Sequence, residues 1–411
     1  MREADRLYKI IPSSHKDALF ELVVYPVRGA ALANRRYFSF ERASQYLTQG
    51  RASAIEWGHR GQEADGRLNF ETDYYNQKLA GGKWRHMMTA EPPNGFWQSY
   101  RMKLPKVPPA LAQMDVPEAA ALGVAIEGRF DPVKPEEKDV SLPVFSVFSR
   151  DTRFIDVFNT GRRSAPWSAK VSHPWIKVSR LAGDLKDDTH LIISIDWLRA
   201  PKGVNGSGTI EIQGANSSRT ITVPIFNPTK PRPGDLRGFI EANGVVSIEA
   251  EHFTRKIDRP GSGWQTIRGL GRTGDSIASF PTTAPALDPT SAPVVEYEFC
   301  LFTPGTMKAL AYLVPPQPIV SGRGLRYAIG LDGQPPQLVV VGADLVVPSR
   351  AWSLNVLNSS TMGMSSHEIK TAGSHVLRIY AVDPGVVLDK IVLDLGGLKP
   401  SYLGPGETRV R

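Results

Sequence analysis

The sequence GLGRTGD, residues 269–275, decides between two folds for its part of the chain. Gly269, Gly271 and Gly274 match G-x-G-x-x-G, the glycine pattern of dinucleotide-binding loops. Such a loop needs a strand before it and a helix after it, because the pyrophosphate rests on the helix N-terminus. The segment that follows, DSIASFP, alternates like a strand and is stopped by Pro281. The sequence therefore predicts a turn between two strands and excludes a nucleotide cofactor.

The chain divides into three segments with different sequence patterns. Residues 1–115 place apolar residues at helical spacing and predict a helical bundle. Residues 120–228 contain short apolar runs separated by Gly, Asn and Pro, a pattern typical of an immunoglobulin-like β-sandwich. Residues 236–411 hold further candidate strands, among them WSLNVLNSS, and favour a second sandwich of jelly-roll type. The predicted fold class is multidomain α plus all-β, with a helical bundle followed by two β-sandwich domains.

Composition and charge exclude several classes of partner. Among 411 residues, 41% are hydrophobic and 22% are charged, which are globular values. The net charge of +8 comes from scattered residues, without a Lys/Arg-rich run that would indicate nucleic-acid binding. No apolar run is long enough to span a membrane. The start, MREADRLYKII, has no signal-peptide pattern. Cys300 is the single cysteine, so no intramolecular disulfide forms.

Acidic residues in two predicted strands suggest a metal site. In SIEAEHF, Glu249 and Glu251 are two apart, so a strand would point both carboxylates to one face. Asp389 and Asp394, in GVVLDKIVLD, come from a strand that could pair with the first. Carboxylates this close repel unless water or a cation lies between them, and hard oxygen ligands suit Ca²⁺. A solvated edge strand is the alternative, and the residues alone leave both open.

Aromatic and polar loop residues suggest carbohydrate binding. Trp264 in GSGWQTI and Trp352 after VVPSRA are predicted in loops, where an indole can stack on a sugar face. The alternative is that each packs at the rim of a sandwich core. Arg272 and Asp275 are the predicted polar contacts of the glycine loop.

Longer segments resemble glycoside hydrolase family 115, whose members are xylan α-1,2-glucuronidases. In the helical region, the segments that carry the resemblance are ALFELVVYPVRGAALANRRY, ASQYLTQGRASA, YNQKLAGGKWRHMM and AALGVAIEG. Near the C-terminus they are VSIEAEHFTRK, GWQTIRGLGRTGDSIASFP and LRIYAVDPGVVLDKIVLDLGGLKPSYLGPGET. The last domain also resembles carbohydrate-binding modules of families 6 and 35. In those modules an E-x-E on the first strand and an acid on the last often hold a structural Ca²⁺, and Glu249, Glu251 and Asp389 match these positions.

The resemblance implies a role in hydrolysis of (4-O-methyl)glucuronic acid side chains of glucuronoxylan. Family members carry their catalytic carboxylates in a (β/α)₈ barrel ahead of the helical bundle, and this sequence begins inside the bundle. We therefore assign no catalytic residue and expect the chain alone to be inactive, supporting the catalytic cleft of an extracellular parent enzyme and binding its polysaccharide. Homodimerisation through this half is a further hypothesis. The alternative is a free-standing carbohydrate-binding or adaptor protein without enzymatic activity.

Overall fold

The computed structural model describes most of the chain and divides it into two compact units. The described residues are 1–89, 106–186, 188–314, 322–343, 345–347 and 349–410. The first unit comprises Met1–Pro143, Thr152–Arg199 and Ser207–Pro224, and the second comprises Val144–Asp151, Ala200–Gly206 and Ile225–Arg411. Residues 90–105, part of the predicted helical bundle, lie outside the described residues. The three domain boundaries drawn from the sequence stay predictions.

The first unit begins with helices, as the sequence predicts. They are α1 (Arg2–Ile10), α2 (Ser13–Leu19), a π-helical turn (Phe20–Val24), α3 (Tyr25–Thr48) and α4 (Ala54–Gln77), followed by 3₁₀ turns at Leu79–Gly82 and Pro109–Gln113.

The two long helices, α3 and α4, form a hairpin with a tight interface. A Cβ atom on Gly61 would collide with the ring of Phe40, and one on Gly58 would collide with Leu111. Glycine at position 61 therefore lets α4 pack closely against Phe40 of α3, and glycine at position 58 leaves room for Leu111 of the later 3₁₀ turn.

Two sheets follow the helices. Their strands are β1 (Leu122–Ile126), β2 (Phe145–Ser146), β3 (Arg153–Asn159), β4 (Pro166–Val171), β5 (Ile176–Val178), β6 (Ala182–Asp184), β7 (Thr189–Ile195), β8 (Gly203–Gly214) and β9 (Ser217–Asn227). A four-stranded sheet has the order β1-β3-β7-β5, and a five-stranded sheet has the order β2-β9-β8-β4-β6.

The C-terminal part of the chain forms two six-stranded sheets around one apolar core. The strands are β10 (Phe239–Ile240), β11 (Val245–Glu249), β12 (Arg255–Ile257), β13 (Gly263–Ile267), β14 (Ser276–Phe280), β15 (Val294–Leu301), β16 (Gly305–Leu313), β17 (Leu325–Leu331), β18 (Gln337–Val341), β19 (Thr361–Ile369), β20 (Gly373–Tyr380) and β21 (Val387–Asp394). One sheet has the order β10-β15-β20-β17-β18, with β12 also paired to β15. The other has the order β13-β14-β21-β16-β19, with β11 also paired to β21. The predicted order of helices followed by β-sandwiches is confirmed.

One predicted strand is wrong. The segment WSLNVLNSS lies largely in a helix, α5 (Arg350–Leu357), rather than in a strand. The side chain of Ser349 accepts a hydrogen bond of 3.1 Å from the backbone N–H of Trp352, which caps the helix N-terminus. Within the described residues, no helix combines the length and apolar character that a membrane span requires.

Candidate functional site

Asp389 lies where the central strand β21 changes its partner. On one side, β11 pairs with β21 as far as Glu249 opposite Lys390. Further along, β14 takes over with Ile277 opposite Leu388. The register of β21 against β16 also shifts at this point, as at a β-bulge. Asp389 therefore lies between the two ladders, paired with neither β11 nor β14, and is almost fully buried.

The glycine loop, residues 269–275, covers the carboxylates beside this junction. A Cβ atom on Gly271 would collide with Oδ1 of Asp389, and one on Gly274 would collide with Oε1 of Glu251. Both glycines have positive φ, +137° and +61° respectively. These glycines therefore permit a close approach to carboxylates, which explains a pattern that otherwise resembles a phosphate loop.

The loop donates hydrogen bonds to each of the three predicted metal ligands. The backbone N–H of Arg272 donates to Oδ2 of Asp389 at 3.2 Å, and that of Asp275 donates to Oε1 of Glu251 at 2.9 Å. The Thr273 hydroxyl lies 3.0 Å from both carboxylate oxygens of Glu249. The structure thus brings Glu249, Glu251 and Asp389 to one loop.

The reason for this convergence differs from the sequence prediction. The prediction placed Glu249 and Glu251 on one strand, facing the same way. Instead, β11 ends at Glu249, and Ala250–His252 form a 3₁₀ turn that carries Glu251. Ala250 is fully buried and keeps the turn against the core.

Two carboxylate oxygens of the cluster are buried without a hydrogen-bond partner among the described residues. They are Oε2 of Glu251 and Oδ1 of Asp389. Burial raises the pKa of Asp389; the Arg272 N–H partly offsets this, and the negative charges of Glu249 and Glu251 add to it. Burial likewise raises the pKa of Glu251, with the charge of Glu249 adding to it. A buried carboxylate oxygen without a hydrogen bond is costly, so this pair favours either protonation or a bound cation.

Glu249 is neutralised differently from its two neighbours. The ammonium of Lys390, which is only 2% exposed, lies 3.1 Å from Oε1 of Glu249. The same ammonium donates to the carbonyl oxygens of Leu403 and Pro405 at 3.1 and 3.2 Å. Lys390 therefore joins the acidic cluster to the C-terminal segment that runs beside it.

The geometry supports only part of the predicted three-carboxylate metal site. Across the part of the chain that the structure describes, no group of three or more His, Cys, Asp or Glu side chains is placed to hold a metal ion together. Glu251 and Asp389 each present an unpartnered oxygen, whereas both oxygens of Glu249 face the Thr273 hydroxyl and one also faces Lys390. Their unpartnered hard oxygens make Glu251 and Asp389 the candidate ligands for a cation, whereas Glu249 is already paired with Thr273 and Lys390.

The side chain of Arg272 leaves the cluster and lies against an aromatic ring. Its guanidinium carbon lies 4.4 Å from the ring centroid of Tyr402, which is 58% exposed. Nε of Arg272 is buried and has no hydrogen-bond partner in the part of the chain that the structure describes. Tyr402 was not among the sequence-predicted site residues. The guanidinium of Arg272, which lies against the exposed ring of Tyr402, can contact an anionic or polar ligand.

Comparison with known proteins finds a family model that matches this region. Residues 238–407 match the model described as the glycosyl hydrolase family 115 C-terminal domain. Over these residues the chain is similar to a family 115 C-terminal domain. The acidic cluster, the glycine loop and Tyr402 all lie within the matched residues. No curated protein sequence matches the chain.

Solved structures that resemble the chain include a family 115 enzyme and carbohydrate-binding modules. The enzyme is a 4-O-methyl-α-glucuronidase with specificity for decorated arabinogalactans, at 17% identity and a TM-score of 0.43. The match covers 95% of this chain and 31% of the glucuronidase, so the chain spans about a third of that protein's length.

Two of the modules match the same share of the chain. One is the C-terminal family 6 module of a laminarinase from Zobellia galactanivorans, at 14% identity and a TM-score of 0.25. It covers 36% of this chain and 98% of the module. The other is a family 35 module from Clostridium thermocellum, at 12% identity and a TM-score of 0.25, covering 36% of this chain and 96% of the module.

Trp264 is a core residue of the C-terminal sheets, which corrects its predicted sugar-stacking role. It lies on β13 and is only 1% exposed. Its Nε1–H donates to the carbonyl oxygen of Pro293 at 3.1 Å, so its polar atom is satisfied inside the domain. A buried indole has no face to offer a sugar, and the alternative of a packed tryptophan holds for this residue.

The remaining predicted carbohydrate contacts, Trp352 and Asp275, lie in different surroundings. Trp352 is half-buried on α5 rather than in a loop, and its role in sugar stacking stays a prediction. Oδ1 of Asp275 accepts a hydrogen bond of 2.8 Å from the backbone N–H of Gly269, which closes the glycine loop. The position of Asp275 therefore suits a loop-stabilising role better than a ligand contact.

Proposed function

We propose that this chain is a carbohydrate-binding, non-catalytic portion of a family 115 α-glucuronidase that acts on glucuronoxylan outside the cell. The match of residues 238–407 to the family 115 C-terminal domain is the observation that carries this proposal. In the complete enzyme the reaction is hydrolysis of (4-O-methyl)glucuronic acid side chains, and this portion supports the catalytic cleft. Family resemblance assigns the catalytic carboxylates to a barrel, so we expect the 411-residue chain alone to release no glucuronic acid.

A direct activity measurement tests the non-catalytic role. Purified chain is incubated with aldouronic acids, and released glucuronic acid is quantified by chromatography. We expect no turnover above a heat-treated sample. Release that grows with protein concentration would show a catalytic site in this chain and overturn that part of the proposal.

The acidic cluster is proposed to hold a structural Ca²⁺. The unpartnered oxygens of Glu251 and Asp389 support this, because Ca²⁺ prefers hard oxygen ligands and would satisfy both. When bound, the ion would neutralise the buried carboxylates and attach the glycine loop to β21. Thr273 and Lys390 hold Glu249 in place, so Glu251 and Asp389 would be the residues that bind the ion. Homodimerisation stays a hypothesis that size-exclusion chromatography with light scattering tests.

Polysaccharide binding is proposed at the edge formed by Arg272 and Tyr402. A guanidinium fork binds carboxylates such as those of glucuronic acid, and the ring of Tyr402 keeps the fork in place. Binding of glucuronoxylan by the full chain is measured by affinity electrophoresis. We expect Arg272→Ala to weaken binding, whereas Arg268→Ala, at an exposed position four residues earlier, leaves it unchanged. Equal binding by both variants would contradict the assignment.

A further inference from the structure

One face of the α3–α4 hairpin carries a groove of about 320 Å³. Its floor contains the buried residues Ser39 and Ala64, which are small and leave space between the helices. Leu32, Arg35 and Ser39 are spaced three and four apart on α3, so they line one face of that helix. The groove is thus built by the hairpin itself.

Arginines from both helices line this groove. Arg35 comes from α3, and Arg60 and Arg67 come from α4, where seven residues of helix separate them by about 10 Å. Glu63 is the acidic residue that lines the groove with them. The lining therefore carries a positive excess.

These arginines are not fully used by the fold. Arg35 has no ion-pair or hydrogen-bond partner among the described residues and is exposed. Arg67 lies 4.0 Å from Glu71, whose two oxygens accept hydrogen bonds of 3.1 and 3.0 Å from Arg28. Arg60 pairs with the exposed Glu56 one turn earlier on the helix. Two of the three guanidiniums thus keep most of their donors for another partner.

The end of the groove is stiffened by an aromatic residue. The guanidinium carbons of Arg42 and Arg60 each lie 4.6 Å from the ring centroid of Trp57. Stacking on an aromatic ring already orders a long side chain, so that side chain loses less conformational entropy when it binds a ligand. Arg60 is therefore held in position at one end, and Arg67 marks the other.

We propose that this groove binds a carboxylate-bearing oligosaccharide through Arg35, Arg60 and Arg67. Guanidinium forks bind carboxylates in a bidentate manner, and the spacing of Arg60 and Arg67 suits a ligand longer than a single ion. The saccharide part of the ligand rests on the proposed function, whereas the anionic part follows from the arginines. Ser39 and Glu63 provide hydrogen-bonding groups for sugar hydroxyls.

The experiment is a calorimetric titration of the full chain with an aldouronic acid at low ionic strength. It is carried out in the Arg272→Ala variant so that the proposed C-terminal site does not contribute. We expect binding of the aldouronic acid and none of the same xylooligosaccharide without its glucuronate. Adding Arg35→Ala and Arg67→Ala should weaken binding at least tenfold, whereas adding Arg6→Ala, on the exposed part of α1, should leave it unchanged.

Other outcomes would overturn the inference. Unchanged affinity after Arg35→Ala and Arg67→Ala are added would show that the groove is not the binding site. If wild type binds the aldouronic acid and the Arg272→Ala variant does not, the groove is again excluded, and the proposed C-terminal site alone accounts for the binding. Equal or tighter binding of inorganic phosphate would show a general anion site rather than a saccharide site. Circular dichroism checks that the variants fold, and Arg35→Gln with Arg67→Gln replaces the alanine pair if it does not.

Discussion

The backbone N–H of Arg272 donates a hydrogen bond of 3.2 Å to Oδ2 of Asp389, 117 residues further along the chain. This bond joins the glycine loop to the point where β21 changes partners. It leaves Oδ1 of the same carboxylate buried and unpartnered. The loop and the acid therefore form one unit, and changes on either side should affect the same property.

Adding a methyl group at Gly271 should destabilise the protein. Gly271→Ala places a Cβ against Asp389 and imposes positive φ on alanine, and together these should cost about 2–4 kcal/mol. Gly269→Ala is the matched control, because that glycine also has positive φ but has open space around its Cβ position. The control should cost about 1 kcal/mol. Urea denaturation measures both, and equal losses would contradict the close contact.

Removing the charge of Asp389 should stabilise the calcium-free protein at neutral pH. The folded-state pKa is raised above the ordinary value of 3.8, so the group's stabilising contribution is complete below that value. It is lost as pH rises through the raised pKa. Asp389→Asn does not titrate, so in EDTA its stability relative to wild type should increase from pH 4 to pH 8. If the stability difference between Asp389→Asn and wild type does not change with pH, the pKa of the buried Asp389 carboxyl is not raised in the folded protein.

Lys390 should contribute more to the stability of the folded protein than an exposed lysine nearby. Lys390→Met leaves Glu249, whose side chain is 12% exposed, without its cation, and should cost about 3–5 kcal/mol because an unpaired buried charge remains. Lys399→Met, at an exposed position, is the control and should be close to neutral. The double variant Lys390→Met/Glu249→Gln should recover part of the loss. No recovery in this double-mutant cycle would argue against the ion pair.

Trp264 should affect stability and not ligand affinity. Trp264→Phe removes the hydrogen bond to Pro293 and some core volume, and should cost about 2 kcal/mol. The folded variant should bind glucuronoxylan as wild type does, because the ring is enclosed. Weaker binding by protein that circular dichroism shows to be folded would restore Trp264 as a sugar contact.

Much of the architecture follows from local patterns in the sequence, and the exceptions have physical causes. The helices, the strands and the strand-joining role of GLGRTGD follow from periodicity and from what surrounds the glycines. The helical state of WSLNVLNSS does not, since its alternating apolar residues also suit a strand, and a cap from Ser349 decides between them. The sequence predicts Trp264 in a loop, yet pairing with β14 makes its segment a strand.

The site was less predictable than the fold. Glu249, Glu251 and Asp389 could be chosen from spacing and resemblance, but the orphan oxygens depend on the partner change of β21, which is a tertiary feature. Lys390 is adjacent to Asp389 in sequence, which could have signalled an internal counter-charge. Tyr402 had no such signal, because only folding brings the C-terminal segment beside Arg272.

Calcium-dependent thermal unfolding tests the central claim, a cation site between Glu251 and Asp389, most directly. The full chain is melted in EDTA and then in Ca²⁺ at about a hundred times its dissociation constant, beside Asp389→Asn. Stabilisation by about 2.7 kcal/mol corresponds to an increase in Tm of about 5–10 °C in wild type. The variant should show no increase. An unchanged wild-type Tm, or the same increase in Asp389→Asn, would contradict the account.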